Sequence, residues 1–445
     1  MRHSLSLARV FPLALRAVAV LAALLAGTAI SLPGATAFAA AADTTPAPMP
    51  AVGVQFHGMW TDYTDAQRAT VLDDLAAAHV GWVRLDVSWA MLQPDGPGSY
   101  SPWGVDFVDR VVNMAHDRGL KVLVTLWLTP GWANGNAGER TLPTDPADYA
   151  RVAKWSAAHF AGRVQAWEVW NEPNQDGFMT GASPAAYTKL LRAAYPAFHA
   201  GDPGTTVVFG GPAYNDTDWI ARTYNNGAHG YFDAMATHPY MGVADQAPET
   251  PDDGTMWTLT HVAAVHALMQ QNGDGNKPIW FTEFGWSSHT NDTIDMNSGD
   301  DNWLRGVTPT QQGDYFVRAI KLVRADFPYV TNMFWYNERN VTTTNIQNAN
   351  YGLLTHDLQP KPAYTALANY LGANSDGTAA APVPVTSPVV QKVHHKTTLA
   401  PRIAVRIGTA LRVTASRSRW QRVARPTSRL HEPRPATSRT WTRQI

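Results

Sequence analysis

Two glutamates stand out in this sequence because each lies at the end of an apolar run and is flanked by aromatic residues. Glu172 lies in Trp-Glu-Val-Trp-Asn-Glu-Pro-Asn, and Glu283 lies in Ile-Trp-Phe-Thr-Glu-Phe-Gly-Trp. Two carboxyl groups that face one cleft could cleave a glycosidic bond, since a neutral acid protonates the leaving oxygen while an ionised partner acts at the anomeric carbon. A single carboxylate beside a loop is usually only solvated, so the pairing is the informative feature.

The elements that would position this pair follow from short β-branched or aromatic runs that alternate with amphipathic stretches. The runs predicted as strands are residues 52–57, 80–87, 121–126, 164–170, 206–209, 234–237, 278–282 and 331–335. The stretches predicted as helices are residues 65–79, 146–160, 184–199, 256–271, 308–326 and 362–371. Eight repeats with buried parallel strands predict an α/β fold, the closed (β/α)8 TIM barrel. An open doubly wound sheet is the alternative, and the lack of a Gly-rich phosphate loop after the first run disfavours it.

Catalytic groups of such a barrel lie at the carboxyl ends of its strands. Glu172 follows the fourth predicted strand and Glu283 follows the seventh, so folding would bring both to one face. Glu168 lies deeper in the fourth strand and is predicted to pair with an interior cation. Asp86, in the second strand, is predicted to form local hydrogen bonds rather than to react.

Composition divides the chain into five segments. Residues 1–39 carry basic residues, an apolar run and small residues in an A-x-A pattern, which predicts a cleaved signal peptide and a protein that is secreted, either free or associated with the cell wall. An uncleaved membrane anchor is the alternative. Residues 40–50 are predicted to be a linker, residues 51–372 the catalytic barrel, and residues 373–391 a second linker. Residues 392–445 form an Arg-rich tail that is predicted to be disordered.

The overall balance of charge conceals the basic tail. The formal net charge of the chain is −1, although residues 392–445 contain one acidic residue, Glu432, among many arginines. The remainder is therefore acidic, which disfavours a nucleic-acid partner for the barrel. The tail would suit binding to anionic cell-wall polymers, or it is an out-of-frame translation. The chain has no cysteine and no G-x-S-x-G motif, which excludes a disulfide framework, a thiolate nucleophile and the nucleophile elbow of a serine hydrolase.

Asn-Glu-Pro after the fourth strand and Thr-Glu-Phe at the seventh make residues 52–371 resemble glycoside hydrolase clan A, whose catalytic glutamates lie on these strands. The motif Trp-Asn-Glu-Pro-Asn is most similar to family 39, with family 5 cellulases next. The resemblance implies a retaining hydrolase of β-linked oligo- or polysaccharides, with Glu172 as acid/base and Glu283 as nucleophile, and no cofactor or metal. An inactive barrel that binds carbohydrate and transglycosylation at the same site are the alternatives.

The resemblance also implies what several neighbours of the two glutamates do. Asn171 would bind the sugar 2-hydroxyl or the intermediate, and Arg84 would keep the nucleophile ionised. His238 and Tyr240, in Thr-His-Pro-Tyr, match a pair whose tyrosine contacts the nucleophile. Trp335, at the end of the eighth strand, would form the platform under the cleaved sugar.

Further candidates come from their place at strand ends. His57 ends the first strand and is predicted to contact substrate, with a structural histidine as the alternative. Trp127 and Trp132 follow the third strand and could either stack on a sugar or pack within a loop; 17 tryptophans in the chain suit stacking. The run 291–302 is rich in acids and amides but lacks the ordered spacing of a calcium loop. We expect no metal site.

Overall fold

The computed structural model describes residues 47–290 and 299–375. The predicted signal peptide, the basic tail, residues 376–391 of the second linker and residues 291–298 lie outside the described residues. Residues 47–50, predicted as linker, contact the barrel, since Arg324 Nε donates to the carbonyl oxygen of Ala47 at 2.8 Å. Within the described ranges, no helix combines the length and apolar character needed to cross a membrane.

Eight parallel strands form one sheet in the order β5-β4-β3-β2-β1-β8-β7-β6. The sheet closes where Phe209 N donates to the carbonyl oxygen of Ala234 at 2.9 Å, which joins β5 to β6. The predicted (β/α)8 barrel is therefore confirmed, with each predicted strand in place. The strands are β1 (Ala51–Gln55), β2 (Trp82–Ser88), β3 (Lys121–Trp127), β4 (Ala166–Val169), β5 (Thr206–Phe209), β6 (Met235–Thr237), β7 (Ile279–Phe284) and β8 (Val330–Trp335).

Helices surround the sheet and cover its outer face. They are α1 (Asp65–Ala77), α2 (Trp89–Leu92), α3 (Pro102–His116), α4 (Gly131–Asn134), α5 (Pro146–His159), α6 (Pro184–Gly201), α7 (Thr217–Asn225), α8 (Val262–Gln271), α9 (Pro309–Asp326), α10 (Ile346–Ala349) and α11 (Pro362–Asn374), with 3-10 turns at Leu259–His261 and Gly299–Leu304. The sequence analysis did not predict α3 and α7. The helix predicted from residue 256 begins only at the first of the 3-10 turns.

Polar side chains and prolines determine where the helices begin. Thr64 Oγ1 accepts a hydrogen bond from Gln67 N at 3.2 Å, and Gln67 Oε1 accepts from Thr64 N at 2.9 Å. This capping box makes Thr64 the cap of α1, whereas Asp65 is already helical and pairs with Arg68 at 2.8 Å. Prolines occupy the first turn of four other predicted helices, at Pro146, Pro184, Pro309 and Pro362.

The barrel interior is layered because side chains two residues apart on a strand point to the same face. The lowest layer is an apolar floor that contains Trp82, Leu123, Ala166, Val208, Ala236, Trp280 and Phe334. The next inward positions form a buried polar layer of Gln55, Arg84, Thr125, Glu168 and Thr282. The floor excludes water from below, so the polar layer must satisfy its hydrogen bonds internally or toward the mouth of the barrel.

Gly53→Ala should destabilise the barrel because the floor has no room for another methyl group. A Cβ atom on Gly53 would lie 2.4 Å from Phe334 Cδ1 and 3.0 Å from Trp82 Cβ. Overpacking a core typically costs about 1–3 kcal/mol, and the free energy of unfolding measured in urea should fall by this amount. Gly81→Ala is the matched control, since its nearest atom would be 3.8 Å away. Equal losses at the two glycines would contradict this account.

Candidate active site

Arg84 is a fully buried cation in the polar layer, and its guanidinium group holds several site residues together. Its Nε atom donates to Glu168 Oε2 at 2.8 Å, and its Nη1 atom donates to Glu283 Oε1 at 2.9 Å. Nη1 also donates to Gln55 Oε1 at 2.7 Å, and Nη2 donates to Asn171 Oδ1 at 2.6 Å. Burial acts to lower the pKa of Arg84, but the Glu168 and Glu283 carboxylates outweigh burial and raise it. The guanidinium is therefore charged, and it holds side chains from three other strands, β1, β4 and β7, in fixed positions.

Glu168 lies beneath the mouth of the barrel and is completely shielded from solvent. It accepts four hydrogen bonds, from Arg84 Nε, from Thr125 Oγ1 at 2.6 Å, from Thr282 Oγ1 at 2.7 Å and from Gly211 N at 3.1 Å. The prediction that Glu168 pairs with an interior cation is confirmed. Its carboxylate orients its neighbours and has no access to a substrate.

Glu283 reaches the mouth because of an irregularity in β7. Simple alternation along the strand would point Thr282 inward and Glu283 outward. The pairing with β8 gains one residue between Phe281 and Phe284, which lets Glu283 follow Thr282 into the interior. There its Oε2 atom accepts a hydrogen bond from the Tyr240 hydroxyl at 2.9 Å, while Arg84 holds Oε1. Both carboxylate oxygens thus have a fixed partner, and 7% of the residue remains exposed.

Glu172 lies just beyond β4 with a left-handed backbone φ of 39°, which a non-glycine residue adopts at a cost. Its amide N donates to the carbonyl oxygen of Gly211 at 3.1 Å, and its Oε1 atom lies 3.0 Å from His238 Nδ1. Gly211 must lack a side chain here, because a Cβ atom would lie 2.6 Å from His238 Nε2 and 2.8 Å from Thr282 Oγ1. The bare backbone of Gly211 therefore permits the contact between Glu172 and His238.

The hydrogen bonds around His238 locate one of its protons. Thr282 has a single hydroxyl proton and donates it to Glu168 Oε1, so its oxygen accepts from His238 Nε2 at 3.0 Å. One further proton is then shared between His238 Nδ1 and Glu172 Oε1. Burial acts to lower the pKa of His238, but the Glu283 and Glu172 carboxylates outweigh burial and raise it. This hydrogen bond gives Glu172 a neighbour with which it can exchange a proton.

One ligand atom from each of Glu172, His238 and Glu283 lies within 4.8 Å of the other two, which is close enough to hold a metal ion. The sequence predicts no metal here. Arg84 already compensates the charge of Glu283, and His238 Nδ1 lies within hydrogen-bond distance of Glu172 Oε1, so these ligand atoms already have partners. We therefore interpret this cluster as one that handles protons.

A pocket of about 230 Å³ opens above the two glutamates. Its wall includes four of the predicted site residues besides the glutamates, namely His57, Trp127, Asn171 and Tyr240. The sequence analysis missed several further lining residues, among them Met59, Trp60, Met91, Phe178, Tyr336, Asn348 and Tyr351. Most of these belong to loops after the strands, where only an aromatic residue close behind a strand end could have signalled them.

His57 faces this pocket and is held from behind by Glu338, which is completely buried. The Nδ1 atom of His57 lies 3.0 Å from Glu338 Oε2, and Glu338 Oε1 accepts from the Tyr63 hydroxyl at 2.9 Å. The indole ring of Trp60 lies 4.0 Å from the imidazole, centroid to centroid. His57 thus borders the cleft and also has a buried partner that the sequence analysis did not identify, while its contact with substrate stays a prediction.

The prediction that Trp335 forms the sugar platform is wrong. Trp335 follows the inward-pointing Phe334, so alternation turns its indole to the outer face of the sheet, where it is completely buried. There it stacks on Phe316 of α9 at 4.3 Å and donates from Nε1 to the carbonyl oxygen of Tyr351 at 3.0 Å. The next residue, Tyr336, faces the pocket instead. The peptide bond between Tyr336 and Asn337 is cis.

The two tryptophans after the third strand separate into different environments. Trp127 points inward and borders the pocket, with an exposed fraction of 9%. Trp132 lies in α4, donates from Nε1 to the carbonyl oxygen of Gln93 at 2.8 Å and packs edge-on against Trp89. Trp127 is therefore available to a ligand, whereas Trp132 packs within the loop.

A (β/α)8 barrel with a glutamate at the end of β4 and another at the end of β7 defines a class of glycoside hydrolase folds. A family model described as "Cellulase (glycosyl hydrolase family 5)" matches residues 42–317. The chain belongs to this family. This family model confirms the predicted resemblance to clan A and its family 5 cellulases, and solved structures from families 39 and 5 share the fold.

Curated relatives match shorter parts of the chain. A benzoxazinone-glucoside β-D-glucosidase of Triticum aestivum is 30% identical over 93 residues, which cover 20% of this chain and 16% of the relative. A β-glucosidase of Agrobacterium is 34% identical over 104 residues, covering 23% of this chain and 22% of the relative. A β-xylosidase of Caldicellulosiruptor saccharolyticus is 28% identical over 178 residues, which cover 36% of this chain and 35% of the relative. The chain thus aligns with about a third or less of the length of these relatives.

Solved structures cover more of the barrel at lower identity. A family 39 glycoside hydrolase from Bacteroides cellulosilyticus has a TM-score of 0.58 and 23% identity, covering 74% of this chain and 64% of that chain. A family 5 enzyme from Streptomyces cattleya, solved with a mannosyl-N-acetylglucosamine disaccharide, has a TM-score of 0.56 and 20% identity, covering 74% and 82%. These similarities establish the shared fold.

Glu168→Gln should be strongly destabilising because it removes a fully buried charge from beside Arg84. Breaking one side of a buried ion pair typically costs about 3–5 kcal/mol, and urea denaturation should detect a loss of this size. The matched control is Asp86→Asn, whose carboxylate lies 3.8 Å from Arg84 and is partly exposed. We expect a smaller loss for this control, and similar losses for both variants would show that Arg84 does not depend on Glu168.

The ion pair between His57 and Glu338 should make stability depend on pH. Burial acts to lower the pKa of His57, but Glu338 outweighs burial and raises it. The stabilisation is therefore complete below about pH 6.5, the ordinary pKa of histidine, and is lost as the pH rises through the folded value. The difference in unfolding free energy between the wild type and Glu338→Gln should shrink with rising pH.

Tyr63→Phe is the control for this pH series, since it removes one hydrogen bond to Glu338 and leaves the ion pair. It should lower stability without removing the dependence on pH. A difference between the wild type and Glu338→Gln that stays constant across the series would refute the ion pair.

Proposed function

We propose that the protein is a secreted retaining glycoside hydrolase that cleaves β-linked oligo- or polysaccharides, with Glu283 as nucleophile and Glu172 as general acid/base. The observation that carries the proposal is the short distance between the two carboxyl groups, whose nearest oxygens lie within 4.8 Å. Retaining enzymes hold this pair about 5–5.5 Å apart, whereas inverting enzymes separate it by about 6.5–9.5 Å to admit a water molecule.

In the first step, Glu283 forms an ester bond with the anomeric carbon while the bond to the leaving oxygen breaks. Arg84 and Tyr240 orient the attacking carboxylate, one at each oxygen. Glu172 passes its proton to the leaving oxygen, so the departing sugar leaves as an alcohol. Arg84 also holds Asn171 by its Oδ1 atom, which leaves the amide NH₂ group to donate to the sugar 2-hydroxyl.

In the second step, water attacks the anomeric carbon and releases Glu283. Glu172, now ionised, takes a proton from this water and returns to its starting state. His238 supports both steps because Glu172 and His238 share one proton across 3.0 Å. A sugar acceptor in place of water would give transglycosylation at the same site.

Several observations support this choice of substrate and location. The curated relatives are named β-glucosidases and a β-xylosidase, which favours a β-linked hexose or pentose. Residues 1–39 have the pattern of a signal peptide, which supports secretion. A barrel that binds carbohydrate without cleaving it is the second candidate. It is disfavoured because Glu172 and Glu283 each have hydrogen-bond partners that orient their carboxyl groups.

Two alanine variants test the assignment of the glutamates. Glu283→Ala cannot form the glycosyl ester, so it should lose activity on every substrate. Glu172→Ala should still form the ester from a dinitrophenyl glycoside, because this leaving group needs no proton, and the ester should accumulate. Stopped-flow release of dinitrophenol followed by mass spectrometry of the protein would detect this intermediate.

Added azide should restore turnover in both variants with opposite stereochemistry. In Glu172→Ala, azide attacks the ester and gives a β-glycosyl azide. In Glu283→Ala, azide attacks the substrate from the opposite face and gives the α product. Proton NMR of the products distinguishes the two outcomes. Exchanged configurations would reverse the two assignments, and wild-type rates in both variants would exclude this site.

A further inference from the structure

A second cavity, of about 470 Å³, adjoins the catalytic pocket. Trp127 and Leu128 line both spaces, so the cleft continues from one to the other. The catalytic pocket alone, at about 230 Å³, is smaller than the roughly 300–1,000 Å³ of typical ligand sites. A substrate longer than one small unit therefore needs the adjoining space.

The loops around this second cavity are held in place by hydrogen bonds. In the loop after β3, Thr129 N donates to the carbonyl oxygen of Glu139 at 2.7 Å, and Asn134 Nδ2 donates to that of Gly138 at 2.8 Å. Thr180, in the loop after β4, donates from its amide N to the carbonyl oxygen of Arg140 at 2.9 Å. The two loops are thus joined, and binding would require little ordering of the backbone.

The side chains in this cavity have the chemistry that recognises sugar hydroxyls. Glu139 is exposed, and its carboxylate makes no hydrogen bond or ion pair with the residues that the structure describes. Arg140 donates from Nη1 to the carbonyl oxygen of Gly177, and its guanidinium lies over the ring of Phe178 at 5.6 Å. Its other N–H groups make no bond to the described chain. A carboxylate and a guanidinium that line one cavity can bind sugar hydroxyls, while the indole of Trp127 offers an apolar face.

We propose that this cavity binds the leaving-group sugar of a β-linked oligosaccharide, with Glu139 and Arg140 on its hydroxyls and Trp127 against its ring. This inference rests on the proposed function. The cavity lies on the loops after β3 and β4, and β4 leads to the acid/base Glu172. Residues from β7 and from the loops after β8 and β1, namely Glu283, Tyr336 and His57, line the catalytic pocket but not the second cavity.

Kinetics on substrates of different length test this assignment. In Glu139→Ala, the ratio of kcat/KM for a β-linked trisaccharide to kcat/KM for an aryl monoglycoside should fall about tenfold, as expected for loss of a charged hydrogen bond. Transfer of the glycosyl group to an added sugar acceptor should fall as well, because the acceptor binds where the leaving sugar was. Asp357→Ala, an exposed acid in a turn that borders neither cavity, is the matched control.

A binding experiment separates this inference from the proposed function. Isothermal titration of the Glu283→Gln variant with gluco-, xylo- and manno-oligosaccharides should show that affinity rises with chain length. This rise should be lost in the double variant that also carries Glu139→Ala. Suppose that the wild type shows no hydrolysis, and that affinity still rises with chain length and this rise depends on Glu139. The catalytic proposal then fails and the subsite stands. An unchanged rise, or unchanged rate ratios, would overturn the subsite. In Glu139→Ala, kcat/KM could instead fall for substrates that are extended on the side away from the leaving group, while transfer to acceptors stays normal. That result would overturn the assignment of the cavity to the leaving-group sugar.

Discussion

The buried charge of Arg84 is the constraint on which the rest of the site depends. A guanidinium without solvent is costly unless carboxylates compensate it, and here Glu168 and Glu283 lie 2.8 and 2.9 Å away. Neither carboxylate could be buried so deeply without the cation, and each would repel the other. Because the guanidinium is planar, its fixed hydrogen bonds also set the orientation of Asn171. Charge compensation and geometric precision therefore come from one side chain.

The barrel makes this arrangement possible through its layers. An apolar floor seals the interior, a polar layer of hydrogen-bonded side chains lies above it, and Glu172 and Glu283 occupy the mouth. Each glutamate reaches the mouth through a local departure from regular structure: a register shift in β7 for Glu283, and a left-handed backbone for Glu172. Regular strands provide rigidity, and the irregular positions aim the reactive groups.

The cleft is asymmetric about this centre. On one side, the buried pair of His57 and Glu338, together with Tyr336, closes the pocket around a small unit. On the other side, loops after β3 and β4 leave a larger space with charged side chains. Family 5 membership and the fold shared with family 39 concern the barrel itself, whereas these loops can vary without disturbing it. Substrate choice therefore depends on the loops rather than on the fold.

Hydrophobic periodicity along the chain was enough to predict the eight strands, the barrel and the positions of Glu172 and Glu283 at strand ends, because this periodicity is local and strand ends meet at one face. The resemblance to clan A further implied that Arg84 and Tyr240 lie near Glu283. Only the tertiary structure decided that Tyr336 rather than Trp335 faces the cleft, since a one-residue shift reverses the direction of a strand side chain. Glu338 was likewise invisible, because its partners His57 and Tyr63 come from the far end of the chain. The place of Glu139 was invisible because its cavity forms only where the loops after β3 and β4 meet.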